Sequence, residues 1–368
     1  MPPRNRDSGV DAAKILAIVL VIVHHTVDFG FVLPETAGGA LKFLWHAVRT
    51  VSISCIDLFA LATGYLCIRS DGSLKRLPGL WLQAVVTGAA VSVLCLLAGA
   101  RPEAYDWMRT FLPVTTGEYW YFTAYFVLCL SMPFVNPGVR GMEKKTLARL
   151  LGALFLFVSV PSVLFPGDPF VLRHGYSFAW LLVVYLFGAY WRLHAATPPR
   201  VSICLGILGL CAVSFLIPSV GKRLLGGPVG DWFSTFNPVY PSSPFVLAIT
   251  LALFGLCRRV RVESARTGRV LAALAGLSFG MYLWLVHPVF WRAFWRPLLG
   301  TVVVSSIPDF LGKLFGVVAA AFAVAGLLEW GRQRLFQAVS GLLPRRGKNS
   351  VAVRGANTGS EYHESKPL

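Results

Sequence analysis

Residues 11–33 read DAAKILAIVLVIVHHTVDFGFVL, and the nineteen residues from Ile15 to Leu33 contain no Lys, Arg or Glu and a single Asp. At the rise of an α-helix, a run of this length crosses the hydrocarbon of a bilayer. It is longer than the core of a secretory leader and it holds His24, His25 and Asp28. It therefore reads as a retained first span rather than a cleaved signal, and no lipidation motif is visible at either end of the chain.

Lys14 and His25 are eleven residues apart in this span. At about 100° per residue they share one face of the helix, separated by about 16 Å along its axis. That places Lys14 at the inner interface and His25 near the middle of the membrane. Asp11 lies one turn from Lys14, and Asp28 one turn beyond His25, where it can hold the imidazole ring. Ionisable groups at such depth are expensive and are read first as functional. The stripe suits a basic anchor at a mouth and a proton-transfer group below it. The plainer reading is a snorkelling Lys14 and a packing His25. His24 points about 100° away from His25 and cannot share the Lys14 line.

Working outward, the 368 residues are 55% hydrophobic and 14% charged, with a mean hydropathy of +0.64. A soluble domain carries about a quarter charged residues, so this apolar excess calls for lipid as solvent. The net charge of +17 does not point to nucleic acid, because the basic residues fall in short clusters between apolar runs. The seven cysteines all lie inside such runs without CxxC pairs or His at ligand spacing, which argues against a disulfide framework or a metal site. No bound cofactor is expected.

The pattern predicts an all-α integral membrane protein of about ten transmembrane helices: 15–33, 47–68, 80–99, 119–136, 146–165, 176–193, 201–219, 243–257, 270–290 and 309–330. With a cytoplasmic N-terminus, 24 of the 34 basic residues fall on the inside, so both termini are expected there. Residues 1–14 form the cytoplasmic N-terminus, 15–330 the membrane domain and 331–368 a cytoplasmic tail, expected to be disordered from Pro344. The loops 100–118 and 220–242 suit a lid, not a domain.

Other polar residues in or beside the spans complete the candidate set. Asp57, in CIDLFALATGYL (55–66), lies at a depth similar to His25 and is placed to orient its ring or to pair with another buried donor. Gly64 and Tyr65 suggest close helix approach or a ligand-facing kink. Arg69, Lys75 and Arg76 follow on the inner side near Lys14, where they suit either a polyphosphate such as coenzyme A or ordinary positive-inside patterning. Glu118 and Tyr121 open the fourth span among aromatics, as an interfacial belt or a sugar contact. His287 ends the ninth span as an interfacial histidine, and Glu329 has Arg332 one turn on.

Four blocks resemble the membrane acyltransferase family 3. They are the basic residue, ten residues and histidine at Lys14 and His25; the second-span motif Val-Asp-Leu-Phe-Phe-Val-x-Ser-Gly-Tyr/Phe-Leu, matched at Asp57, Leu58, Phe59, Gly64, Tyr65 and Leu66 with Thr63 for Ser; EYWYFTAYFVLCLSMPFVN at 118–136; and LSFGMYLWLVHPVF at 277–290. The resemblance covers residues 7–330. It implies a stand-alone O-acyltransferase, typically moving acetyl from acetyl-CoA on the cytoplasmic side to a glycan hydroxyl. His25 would be general base or transient acyl carrier, with Asp57 or Asp28 orienting it. Lys14, Arg69 and Arg76 would sit at the donor, and His24, Glu118, Tyr121 and His287 at the acceptor or in the frame. The Arg-x-x-Arg pairing of some members is absent after Arg69, where Ser70, Asp71 and Gly72 follow, and no hydrolase domain is fused.

The expected partners are acyl-CoA, a surface polysaccharide, exopolysaccharide or lipid-linked glycan, and membrane lipid, with the bacterial plasma membrane as the location and a homo-oligomer left open. The competing classes are a transporter of glycan precursors or small metabolites, whose buried His and Asp would relay protons, and an acyltransferase of small molecules.

Overall fold

The computed structural model describes residues 7–342 except 71–73, 166–167, 169, 196–197, 215 and 235. Arg4, Arg6, Asp71, Gly72 and the tail from Pro344 therefore lie outside the described residues. Of the described residues 78% are helical, and there is no strand among them beyond a single bridge between Val32 and Val303.

The helices run in chain order as α1 Ser8–Phe29, α2 Gly39–Ile53, α3 Cys55–Cys67, α4 Leu77–Leu97, α5 Ala104–Phe111, α6 Trp120–Arg140 and α7 Lys144–Leu164. They continue as α8 Phe178–His194, α9 Val201–Val213, α10 Leu216–Leu225, α11 Gly227–Ser234, α12 Pro244–Cys257 and α13 Ala265–Leu285. A short helical stretch at 288–299 forms α14, and α15 is Ile307–Leu342. Among the described residues seven helices are long and apolar enough to cross a membrane, with α2 and α3 counted together as one at Gly39–Cys67, or eight if the bent pair α9 and α10 is one span. That confirms a multi-span helical chain but not the expected count of ten or the inside placement of both termini. Each apolar stretch is helical, but α8 has 17 residues and α12 has 14, short for a full crossing.

Burial separates the helices that line the interior from those that meet lipid. In the apolar window of α1, 61% of residues are buried, against 11% in that of α15. An apolar helix with so much exposed surface is stable only where lipid replaces water. α1 is the central post, packing on α2, α3, α12, α13 and α15. Its start is fixed by Asp7, which caps the Gly9 and Val10 amides and pairs with Arg258 at the end of α12.

Two breaks have local causes. Between α2 and α3, the hydroxyls of Ser52 and Ser54 bond back to the carbonyls of Arg49 and Val51, competing with the helical ladder. In α7, a π turn at Phe155–Ser159 precedes Pro161 and absorbs its missing donor.

α3 and α8 cross at backbone contact. A Cβ at Gly64 would strike the Tyr185 carbonyl, and one at Gly188 the Leu61 carbonyl. Small residues permit this approach where lipid supplies no hydrophobic drive. Of the two readings of Gly64, the structure supports close helix approach. Buried Asn136 of α6 then binds the carbonyls of Cys67 and Ser70 at 3.0 and 2.9 Å and accepts the Tyr185 hydroxyl at 2.7 Å, closing the end of α3.

The two expected loops contain helices. Residues 104–111 form α5 under a capping box of Glu103 and Asp106, and α10 and α11 fill most of 220–242.

Candidate active site

Helix ends converge on His25. The last turns of α1 and α13, the first turns of α3 and α6, the segment before α8 and the start of α14 enclose a cavity of about 500 Å³. His24 and His25 line it, with Cys55, Ile56 and Phe59 of α3, Glu118, Tyr119, Trp120 and Tyr121 around the start of α6, Arg173 and Tyr176, and Tyr282 and Trp291. Because α1 spans 8–29, His25 sits one turn from its end rather than at its middle.

The His25 ring is held by the backbone. Its Nδ1 is 2.8 Å from the Val21 carbonyl one turn earlier, and a carbonyl can only accept, so Nδ1 carries the proton. In the neutral ring Nε2 is then left with a free lone pair. Trp291 stands edge-on at 5.2 Å, with His24 at 5.5 Å and Phe29 at 5.9 Å. A group held this way is an oriented proton acceptor in an aromatic cavity.

Neither carboxylate proposed to orient the ring touches it. Asp28 bonds Arg49 of α2 and lies 3.9 Å from Nε2 of His24, four residues back, so the (i, i+4) geometry brings it to His24. Asp57 is fully buried and accepts the Trp180 indole N–H at 2.9 Å. Cys55, Ile56 and Phe59 face the cavity from the same turn, and Asp57 is rotated away toward α8. Its second oxygen has no hydrogen-bond partner. Both histidines line the cavity, although only His25 shares the Lys14 face.

Across the cavity, Glu118 Oε2 pairs with Arg109 Nε at 2.8 Å, and Oε1 lies 3.8 Å from Nε2 of His287. His287 Nδ1 accepts the Val289 amide at the start of α14, so Nε2 bears the hydrogen and faces Ser92 at 3.4 Å. Burial pushes the Glu118 carboxyl up to about 7 despite the opposing pull of Arg109, and burial pushes His287 down to about 4. Behind them, Arg292 bonds both oxygens of Asp106. Burial alone would raise this carboxyl, but the Arg292 bonds outweigh it and hold it below its usual range. The hydroxyls of Tyr119 and Tyr121 are buried in the wall with no hydrogen-bond partner.

The basic candidates gather at the other ends of α1 and α3. Lys14 and Arg76 are both within electrostatic reach of Cys67, the last residue of α3. Arg69 and Arg76 are exposed, and the Arg69 carbonyl accepts from Arg140 at 3.5 Å. Tyr65 lies between two arginines there, with Arg192 bonding its hydroxyl at 3.1 Å and Arg258 4.5 Å from the ring centre.

Arg49, Arg109, Arg173, Tyr176, Tyr282 and Trp291 were not visible as site residues in the sequence. For the three arginines a signal existed, since they belong to the ten basic residues that oppose the positive-inside pattern. The family model described as "Acyltransferase domain", of acyltransferase family 3, matches residues 7–330. No curated protein and no solved structure matches the chain.

Proposed function

The chain belongs to the acyltransferase 3 family, and on that premise we propose that it is an O-acyltransferase moving an acyl group, most simply acetyl, from acyl-CoA to a hydroxyl of a surface polysaccharide or lipid-linked glycan. The observation that carries the reading is His25, with Nδ1–H given to Val21 and the ring in the cavity wall. Nε2 takes the proton of the acceptor hydroxyl as its oxygen attacks the thioester carbonyl. The tetrahedral intermediate collapses by breaking the C–S bond, and the imidazolium returns the proton to the departing thiolate. The unpartnered hydroxyls of Tyr119 and Tyr121 are donors available to the oxyanion.

Lys14, Arg69 and Arg76 hold the phosphates of the donor at the opposite end, about 16 Å from His25 along α1. In this reading that end faces the cytoplasm of a bacterium, where coenzyme A is made, and the cavity opens on the other face of the plasma membrane.

The test is His25→Ala in cells that carry the gene. Mass spectrometry of their surface glycans should lose the acyl increment, while the variant stays folded in the membrane at wild-type abundance. Glycans that keep their full O-acyl content would refute the assignment.

A further inference from the structure

One cation in the cavity wall has no ion-pair partner among the described residues. Asp28 is paired with Arg49, Glu118 with Arg109 and Asp106 with Arg292. The wall has one more cation, Arg173, whose guanidinium forms no ion pair among the described residues. It is exposed while lining the cavity, so it stands at the rim.

The chain holds Arg173 there at a conformational cost. Val171, Arg173 and His174 have φ of 52°, 52° and 56°, the left-handed region that residues with a Cβ avoid, a β-branched valine most of all. Such outliers persist only where their surroundings over-determine them, and they collect at functional sites. Here the surroundings are explicit. The Asp168 carboxylate accepts the amides of Leu172 and Arg173. The His174 ring stacks on Tyr240 at 4.2 Å and its carbonyl accepts the Ser242 amide. Gly175, at φ 101°, leaves no room for a Cβ against Pro241.

We propose that the acceptor is an anionic saccharide, whose carboxylate or phosphate is held by Arg173 while a nearby hydroxyl is presented to His25. This rests on the acyl-transfer reading and adds the substrate class to it. Taken as a sphere, the cavity is roughly 10 Å across, so the anion sits on the acylated sugar or on its immediate neighbour. The aromatic rings of Trp120, Tyr121, Tyr176 and Tyr282 supply flat apolar faces for the sugar rings.

The experiment uses the full chain in lipid nanodiscs with three probes: methyl glucoside, methyl glucuronide and glucose 1-phosphate. Binding is read without donor, by quenching of tryptophan fluorescence, and transfer with labelled acetyl-CoA. At least one charged probe should bind about tenfold more tightly than the glucoside, the glucuronide marking a carboxylate acceptor and the sugar phosphate a phosphorylated one. Arg173→Gln should bring the charged probes to the level of the glucoside, and Arg173→Lys should recover part of the preference. The KM for acetyl-CoA should stay within twofold in both variants. Equal binding of all three probes by the wild type would overturn the proposal, as would an Arg173→Gln variant that raised the KM for acetyl-CoA instead. If the wild type discriminates the probes while the glycans of His25→Ala cells keep their full O-acyl content, the acyl-transfer reading falls and the anion site stands.

Discussion

Gly64→Ala tests the α3–α8 crossing that sets the cavity wall. The new Cβ would meet the carbonyl oxygen, carbonyl carbon and Cα of Tyr185, all backbone atoms that cannot rotate away. The nearest is the oxygen at 2.0 Å, so restoring ordinary contact requires the helices to part by about 1.5 Å, and overpacking of this kind costs about 1–3 kcal/mol. The same displacement stretches the 2.9 Å bond between Trp180 and Asp57. That bond ties a fully buried carboxyl to a buried indole, and leaving such groups unsatisfied costs about 1–3 kcal/mol. Replacing a helical glycine by alanine returns about 1 kcal/mol. The net expectation is a loss of about 1–5 kcal/mol. The assay is unfolding of the full chain in detergent, with Gly152→Ala in α7, where a Cβ meets nothing within 4 Å, as the reference that isolates helix propensity. Equal midpoints for the two variants would refute the reasoning, since both gain the same propensity and only one meets a backbone.

Other consequences follow from single groups. Because burial pushes the Glu118 carboxyl up to about 7 in the folded chain, from an ordinary 4.5, the folded form binds the extra proton. The stability it contributes is present below pH 4.5 and lost as pH rises through 7. Relative to Glu118→Gln, the wild type should therefore lose about 1 kcal/mol over this window once solvent screening is allowed for. Unfolding midpoints of the two proteins that run parallel from pH 5 to 8 would contradict this. Asn136→Ala strands the carbonyls of Cys67 and Ser70 and the Tyr185 hydroxyl, and should cost about 2–3 kcal/mol. Faster amide exchange confined to the end of α3 is the expected sign, and unchanged exchange there the contrary one.

The sequence by itself determined the helical membrane class, the placement of the apolar segments and the shared face of Lys14 and His25. Each follows from backbone periodicity and local composition, which are written in neighbouring residues. The breaks at Ser54 and in α7, and the 14- and 17-residue lengths of α12 and α8, were not legible as such. They depend on hydroxyl back-bonding and on where a helix meets its neighbours.

Only the tertiary structure decided what surrounds His25. Glu118, Arg173 and Tyr282 come from segments far apart in the chain, and their meeting depends on which helix ends pack together. Asp57 shows the difference most plainly. Its sequence position gave the right turn of α3, yet the glycine crossing with α8 turned it to Trp180 and left the Val21 carbonyl to orient the histidine. Spacing along one helix is set by its own hydrogen bonds, whereas the partner of a buried side chain is set by contacts between helices that no local pattern encodes.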